Sequence, residues 1–535
     1  MKRILAMLTL LAMLLCGTAA AEMPDYLNPD SEFPIVKEGE EITLSIAVMP
    51  NVLDNVEDLW FWEYCRQVMN INFEITAFTS DVRNEKINLM FAADTLPDMI
   101  LGCDFSTAEL VRYGQIEGQL LALNNYLTED YAPNILKLFE EHPEYQGIVT
   151  AQDGKIYSLP CVNPELNILG LMPGSFINTR ILAETGMEMP TTLDELYQLL
   201  CKMKELYPDS IPLGGGVNAN EPSQLIWTAL GVTTTSAIEP GFKNGEVTVL
   251  CGDELYGEYL TFMNKLYSEG LIDPDYYTID STMLNGELAE GRVFIAPGPV
   301  YTALPDSWAE WTAMPPLTSE FNDTQVWTGA ALARPGAAVI NSQTEYPELC
   351  MRFLDFFFTE KGGIYAWTGP MVGSEDCLGM VCGWYGNEQV PDVEEGKYPS
   401  TWEYVVYEVS PFNPNRPGTK AGEVERIHFV DPEAEFEWDL TNPDNFYRAS
   451  KETAEYPYVV DVYPTIYFDE ETQQRISELK LVLEDYVNTE SAKFITGVNS
   501  LDNLPAYFEQ LNDIGFEEYL AYYVDAYEIY LANLQ

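Results

Sequence analysis

The stretch that most limits the fold is an alternation near the start of the chain. "ITLSIAVMPN" reads as a buried strand running into a loop, because it is rich in β-branched residues (Ile42, Thr43, Ile46 and Val48) and Ile46–Met49 is a continuous apolar run closed by Pro50. "VEDLWFWEYCRQVMN" follows as a helix and "INFEITAF" as a second strand. In "NEKINLMFAADTLPDMILGCD" the first half is helical, Pro97 ends the connection and "DMILGC" is a third strand. Strand, helix, strand, helix, strand in this order predicts a parallel sheet with helices on its faces. Ligands of such sheets sit at the carboxyl ends of the strands.

A hairpin follows in "DGKIYSLP". Asp153-Gly154 makes the turn, and Pro160, which has no N–H, limits the strand that leaves it. Beyond it the spacing predicts a second α/β unit. Thr192 caps a helix with Glu195 three residues on, and Leu193, Leu196, Leu200 and Met203 share one face. "EVTVL" and "GRVFIAPGPV" read as strands, and the helix in "DELYGEYLTFMNKLYSEG" stops at Gly270. "YPELCMRFLDFFFTEKGG" is an amphipathic helix, and most of the chain after 470 is helical. Residues 383–468 are rich in Pro, Asn and acids, which predicts long loops.

Composition excludes several roles. With 27 basic and 85 acidic residues among 535, the net charge is −58. Such a surface repels nucleic acid and anionic membranes. "MKRILAMLTLLAMLLCGTAAAE" has a basic start, a short apolar run and small residues, the pattern of a secretory signal peptide cleaved after Ala21. Cys16 leaves a lipid anchor as the alternative, although Leu15 precedes it where a small residue is usual. Nine scattered cysteines read as buried thiols, apart from Cys377 and Cys382, which are close enough to bridge. With only His142 and His428 and no paired-cysteine motif, neither a zinc site nor a cofactor is expected, and acidic clusters such as "NPDSE" and "NPDN" lack a full calcium-ligand spacing, which leaves a structural calcium ion undecided by the sequence.

Six segments in order resemble the bacterial extracellular solute-binding proteins that serve ABC transporters, in the large branch associated with oligosaccharides. They are "NLMFAADTLPDMI", "DGKIYSLP", "INTRILAETGMEMPTTLDELYQLL", "GLIDPDYY" with "LAEGRVFIAPG", "YPELCMRFLDFFFTEKGG" and "KFITGVNSLDNLPAYFEQLNDIGFEEYLAYYVDAY". The late "GPMVGSEDC" departs from a Gly-x-Glu-Gly stretch common in that family.

The resemblance implies an α/β fold of two lobes joined by crossing strands, with ligand in the cleft. Lobe 1 would be residues 22–162 with 299–345, and lobe 2 would be 163–298 with 346–535. Pro160 and Pro297 would mark the first two crossings, and a third would lie near "AVINSQTEYPE". Closure of the lobes on a carbohydrate, delivery to a membrane permease and action as an extracellular monomer follow from the same resemblance, with no catalytic residues and no cofactor.

Sugars stack on aromatic rings and hydrogen-bond to planar polar groups. By the resemblance, Trp227 falls where sugar-binding relatives of maltose-binding protein carry an aromatic segment facing the cleft, and Asp104, after the third strand, falls where they hold a polar contact. Trp327, Trp367, Trp384 and Tyr385, read as loop residues, complete the candidate ligand contacts. Tyr519, Tyr523, Tyr527 and Tyr530 recur at helical spacing and are assigned to packing. A secreted glycoside hydrolase with two flanking carboxylates, and a peptide-binding or sensor protein of the same fold, are the rival readings.

Overall fold

The computed structural model describes residues 23–29, 33–50, 53–162, 175–219, 221–298, 300, 304, 310–328, 333–367, 369–370, 373–380, 409–412, 416–419, 459–461 and 463–533. Its first sheet grows from the alternation that opens the sequence. β1 (Thr43–Val48) pairs in parallel with β2 (Asn72–Ala77) on one side and β3 (Met99–Leu101) on the other. α1 (Trp60–Tyr64) and α2 (Arg83–Ala92) make the two crossovers. α1 is short but carries four buried aromatic side chains, Trp60, Phe61, Trp62 and Tyr64. Each contributes about 2 kcal/mol of burial, which offsets the weak intrinsic stability of a five-residue helix.

α3 (Pro133–Glu141) begins on a proline and is capped from elsewhere: the Asp355 carboxylate accepts hydrogen bonds from the backbone N–H groups of Asn134 and Ile135. The Asp-Gly turn forms as the sequence predicts. Gly154 takes φ +77°, Asp153 Oδ1 accepts from the Lys155 N–H at 3.0 Å, and Thr150 and Ile156 bridge. β4 (Leu159–Val162) then runs through Pro160 instead of ending there.

β5 (Ser175–Asn178) opens a second sheet. α4 (Leu193–Leu206) has the predicted cap, with Thr192 Oγ1 accepting from the Glu195 N–H at 3.2 Å. β6 (Ile211–Leu213), α5 (Ser223–Ala229), α6 (Glu254–Ser268), α7 (Ser281–Ala289), β7 (Val293–Pro297) and β8 (Trp311–Ala313) complete this unit. Its strand order is β8-β5-β7-β6. A small antiparallel meander over 232–249 packs beside it.

β9 (Val326–Thr328) precedes the return to the first sheet as β10 (Ala333–Ile340), which lies antiparallel between β3 and β4. α8 (Pro347–Phe356) and β11 (Gly418–Thr419) stay with that sheet, whose order is β11-β4-β10-β3-β1-β2. β12 (Val459–Asp461) pairs with β9, and α9 (Glu470–Ile495), α10 (Leu504–Ile514) and α11 (Phe516–Asn533) pack on the second unit.

Two lobes result, each with its own core. Leu44, Trp60, Phe139, Leu159, Ile340 and Phe353 belong to one, and Leu196, Trp227, Leu260, Ile295, Leu483 and Tyr519 to the other. Tyr519 and Tyr523 are buried in the second core, as their spacing indicated, while Tyr527 and Tyr530 are half-buried. Cys65, Cys103, Cys161, Cys251 and Cys350 are buried free thiols and Cys201 is a half-buried one. Cys377 is disulfide-bonded to a partner outside the described residues, where Cys382 also falls.

The lobe boundaries and crossings differ from the sequence reading in four places. Residues 311–313, assigned to lobe 1, pair with β5 in the second sheet. The 346–361 helix, assigned to lobe 2, buries Leu349, Phe353 and Phe357 in the first core. "VFIAPGPV" is no crossing, since Pro297 pairs with Ser175 inside the second sheet. The chain rejoins the first sheet at Ala333 and is still in it at Thr419, while 326–328 and 459–461 pair with each other outside that sheet. "AVINSQTEYPE" makes no crossing, because β10 runs directly into α8 on the same core. Pro160 sits opposite the bulge that shifts the register of β10 between Arg334 and Ala338, so its missing N–H costs the ladder nothing.

Candidate ligand site

Topology selects the place. β4 ends at Val162 and β10 starts at Ala333, and these two residues are paired. Both connecting segments therefore meet the first sheet at one edge, the carboxyl ends of the parallel strands β1, β3 and β4. In the second sheet Ser175, where β5 starts, pairs with Pro297, where β7 ends. The chain from the first sheet thus arrives at the carboxyl ends of β7 and its parallel neighbour β6. Each sheet turns toward the connecting chain the edge at which parallel sheets take their ligands.

Asp104 stands at that edge, three residues past the end of β3 and two before the Ser106 helix cap. Its backbone is left-handed at φ +52°, a region that Asp tolerates better than most residues. Two contacts impose it. Gly336, at φ +79°, brings the β10 bulge against the loop, and the Phe105 N–H donates to the Gly336 carbonyl at 3.0 Å. A Cβ on Gly336 would lie 2.0 Å from the Phe105 carbonyl oxygen, so only glycine fits. From the other side Arg83 donates through Nε to the Cys103 carbonyl at 2.9 Å while its guanidinium pairs with Glu109.

The bulge also aims Arg334. Its Nη1 lies 3.9 Å from Asp104 Oδ2, and both side chains are about two-fifths exposed. This wide, open ion pair joins a donor fork and an acceptor within one sugar ring's reach. Arg334 was missed in the sequence reading, although a lone Arg in the apolar run "ALARPGAAVI" is a signal.

The aromatic candidates fare differently. Trp227, on α5, is 5% exposed and packs edge-on to Tyr259 at 5.6 Å in the second core, so its ring faces no open space. Trp367 is 6% exposed, with the buried Arg416 guanidinium 4.7 Å from its ring centroid. Trp327 belongs to β9, not a loop, and pairs in register with Val460 before the chain rejoins the first sheet at Ala333. Trp384 and Tyr385 lie outside the described residues. The structure thus brings Asp104 together with Arg334 and buries both Trp227 and Trp367. Among the described residues no group of three or more His, Cys, Asp or Glu is placed to hold a metal ion.

Comparison with solved structures decides the fold. A FusA ABC-transporter substrate-binding protein of S. pneumoniae, solved with kestose, superposes over 92% of this chain and all of its own, with a TM-score of 0.73 at 20% identity. The fold is that of an ABC-transporter solute-binding protein. An HMO-binding solute-binding protein from Bifidobacterium longum infantis matches this solute-binding-protein fold at a TM-score of 0.70 and 20% identity, over 92% of this chain and 99% of its own. In sequence, the fructooligosaccharide ABC transporter substrate-binding protein FusA of Streptococcus pneumoniae is 24% identical over 97% of this chain and 96% of its own length. Lipoprotein LipO of Bacillus subtilis is 26% identical over 39% of this chain and 40% of its own length. No family model matches.

Proposed function

We propose that this protein captures a carbohydrate, an oligosaccharide, between its lobes outside the cell and hands it intact to the permease of an ABC transporter. The observation that carries the reading is the Asp104–Arg334 pair at the sheet edge where the chain passes between lobes. It offers hydrogen-bond donors and acceptors to hydroxyls and no activated nucleophile. The relatives support it, since the sequence match to a fructooligosaccharide-binding protein spans nearly the whole chain. The protein works as a monomer, and closure follows from tighter binding by the closed state.

A thermal-shift screen with kestose, maltotriose, cellotriose and raffinose tests this, with tripeptides as controls. A sugar at about 100 times its Kd stabilises the folded chain by about 2.7 kcal/mol. A melting shift with one sugar and none with peptides is the expected result. A shift with peptides alone overturns it.

A further inference from the structure

We propose that Glu221 is the second lobe's hydroxyl-accepting contact for the sugar, preset by a buried network behind it. This rests on the carbohydrate reading above. Glu221 lies in the loop joining β6 to α5, at the carboxyl end of β6, and its side chain is exposed. One of its oxygens is nevertheless fixed. Oε1 accepts the Ser223 hydroxyl at 2.6 Å and the Tyr276 hydroxyl at 2.6 Å. Both donors are only 1% exposed, and the Ser223 and Tyr259 hydroxyls lie 2.7 Å apart.

The loop itself is held as firmly. Gly216 and Ala219 exchange backbone hydrogen bonds at 2.9 Å each, and the Val217 N–H donates to the Tyr276 carbonyl at 2.9 Å. Tyr276 therefore fixes both the backbone of the loop and the carboxylate that the loop presents.

Oε2 has no protein partner among the described residues. Exposed glutamates ordinarily sample many rotamers, and ordering one costs binding energy. Here that ordering is complete before ligand arrives. Two inward hydrogen bonds draw charge toward Oε1 and leave Oε2 as a fixed acceptor directed away from the network. A neutral sugar hydroxyl is its fitting partner, and an anionic uronate is repelled. Glu221 thus lies in the loop that follows a parallel strand of the second sheet, as Asp104 does in the first.

Glu221→Gln separates this role from simple satisfaction of the two buried hydroxyls. The amide oxygen still accepts from Ser223 and Tyr276, while an NH2 group replaces the free acceptor. The expected result is an unchanged melting temperature and a Kd weakened by about tenfold or more, titrating kestose first and then the rest of the panel. Glu221→Ala lowers the melting temperature as well, since it strands both hydroxyls. A Glu221→Gln Kd within about twofold of wild type overturns the inference and leaves the carbohydrate reading standing. A wild-type protein that binds no panel sugar overturns both.

Discussion

The Gln152 side-chain amide donates to the backbone carbonyl of Tyr467 at 2.8 Å, and this bond ties one lobe to the other. Gln152 belongs to the hairpin of the first lobe. Tyr467 belongs to the lead-in of α9, whose helix packs on the second. The Tyr467 ring is buried among Met49, Phe78, Phe105 and Tyr157 of the first lobe. Its neighbour Phe468 packs on the second core beside Tyr523. Consecutive residues thus grip opposite lobes. This pin adds a contact between the lobes beyond the places where the chain leaves the first sheet after Val162 and rejoins it at Ala333.

The Tyr467 hydroxyl is buried with no hydrogen-bond partner among the described residues. Removing an unpaired buried hydroxyl relieves its desolvation cost. Tyr467→Phe should melt at or above the wild-type temperature. Tyr467→Ala removes the ring and should cost about 3–5 kcal/mol in denaturant unfolding. A clear loss in the Phe variant would show that the hydroxyl is satisfied.

Arg334→Gln and Asp104→Asn should each weaken sugar binding by about tenfold or more while leaving stability nearly unchanged. The pair is partly exposed, and such ion pairs contribute about 0–1 kcal/mol to folding. Calorimetric titration beside a melting curve reads both quantities. A large melting shift with unaltered affinity would make the pair a structural one.

Trp227→Ala should behave in the opposite way. The ring is in the second core, so its loss should cost about 3–5 kcal/mol of stability. Trp227→Phe, which keeps an aromatic ring against Tyr259, should bind sugar as wild type does. A strong affinity loss in the Phe variant with normal melting would place the indole in the site.

Glu287 gives the second lobe a pH dependence. Burial first, and then the neighbouring Asp273 carboxylate, push its carboxyl up to about 7. Asp273 is fully buried, and its Oδ2 has no partner among the described residues. An unfolded glutamate titrates near about 4.3, so the native state holds the extra proton between these values. The contribution is therefore full below about pH 4 and is lost as pH rises through 7. Glu287→Gln, which keeps a donor at every pH, should melt above wild type at alkaline pH and match it in acid. Parallel melting curves across that range would contradict the assignment.

The elements were legible where local chemistry decides them. The β1–β3 alternation, the Asp153-Gly154 turn and the Thr192 cap formed where the residues placed them. The lobe boundaries were not legible. An apolar run such as "VFIAPGPV" reads alike as a crossing strand or a core strand, and only its pairing with Ser175 settles which it is. α8 shows an apolar face in sequence, but nothing in that face names the core that receives it. The same limit applies to the site. Asp104 was named from the family resemblance together with its place after the third strand, and its pairing with Arg334 was not visible there. Trp227 could not be told from a stacking platform, since its burial depends on Tyr259 and other residues distant in sequence. Arg334 needed the β10 bulge to bring it to Asp104.

The most direct test of the account is one calorimetric titration of the purified protein with kestose and the other panel sugars, followed by mass spectrometry of the recovered sugar. Saturable binding of one sugar per chain, with that sugar returned intact, is the predicted result. Shorter products would make the protein a hydrolase, and no heat with any sugar would remove carbohydrate capture from its function.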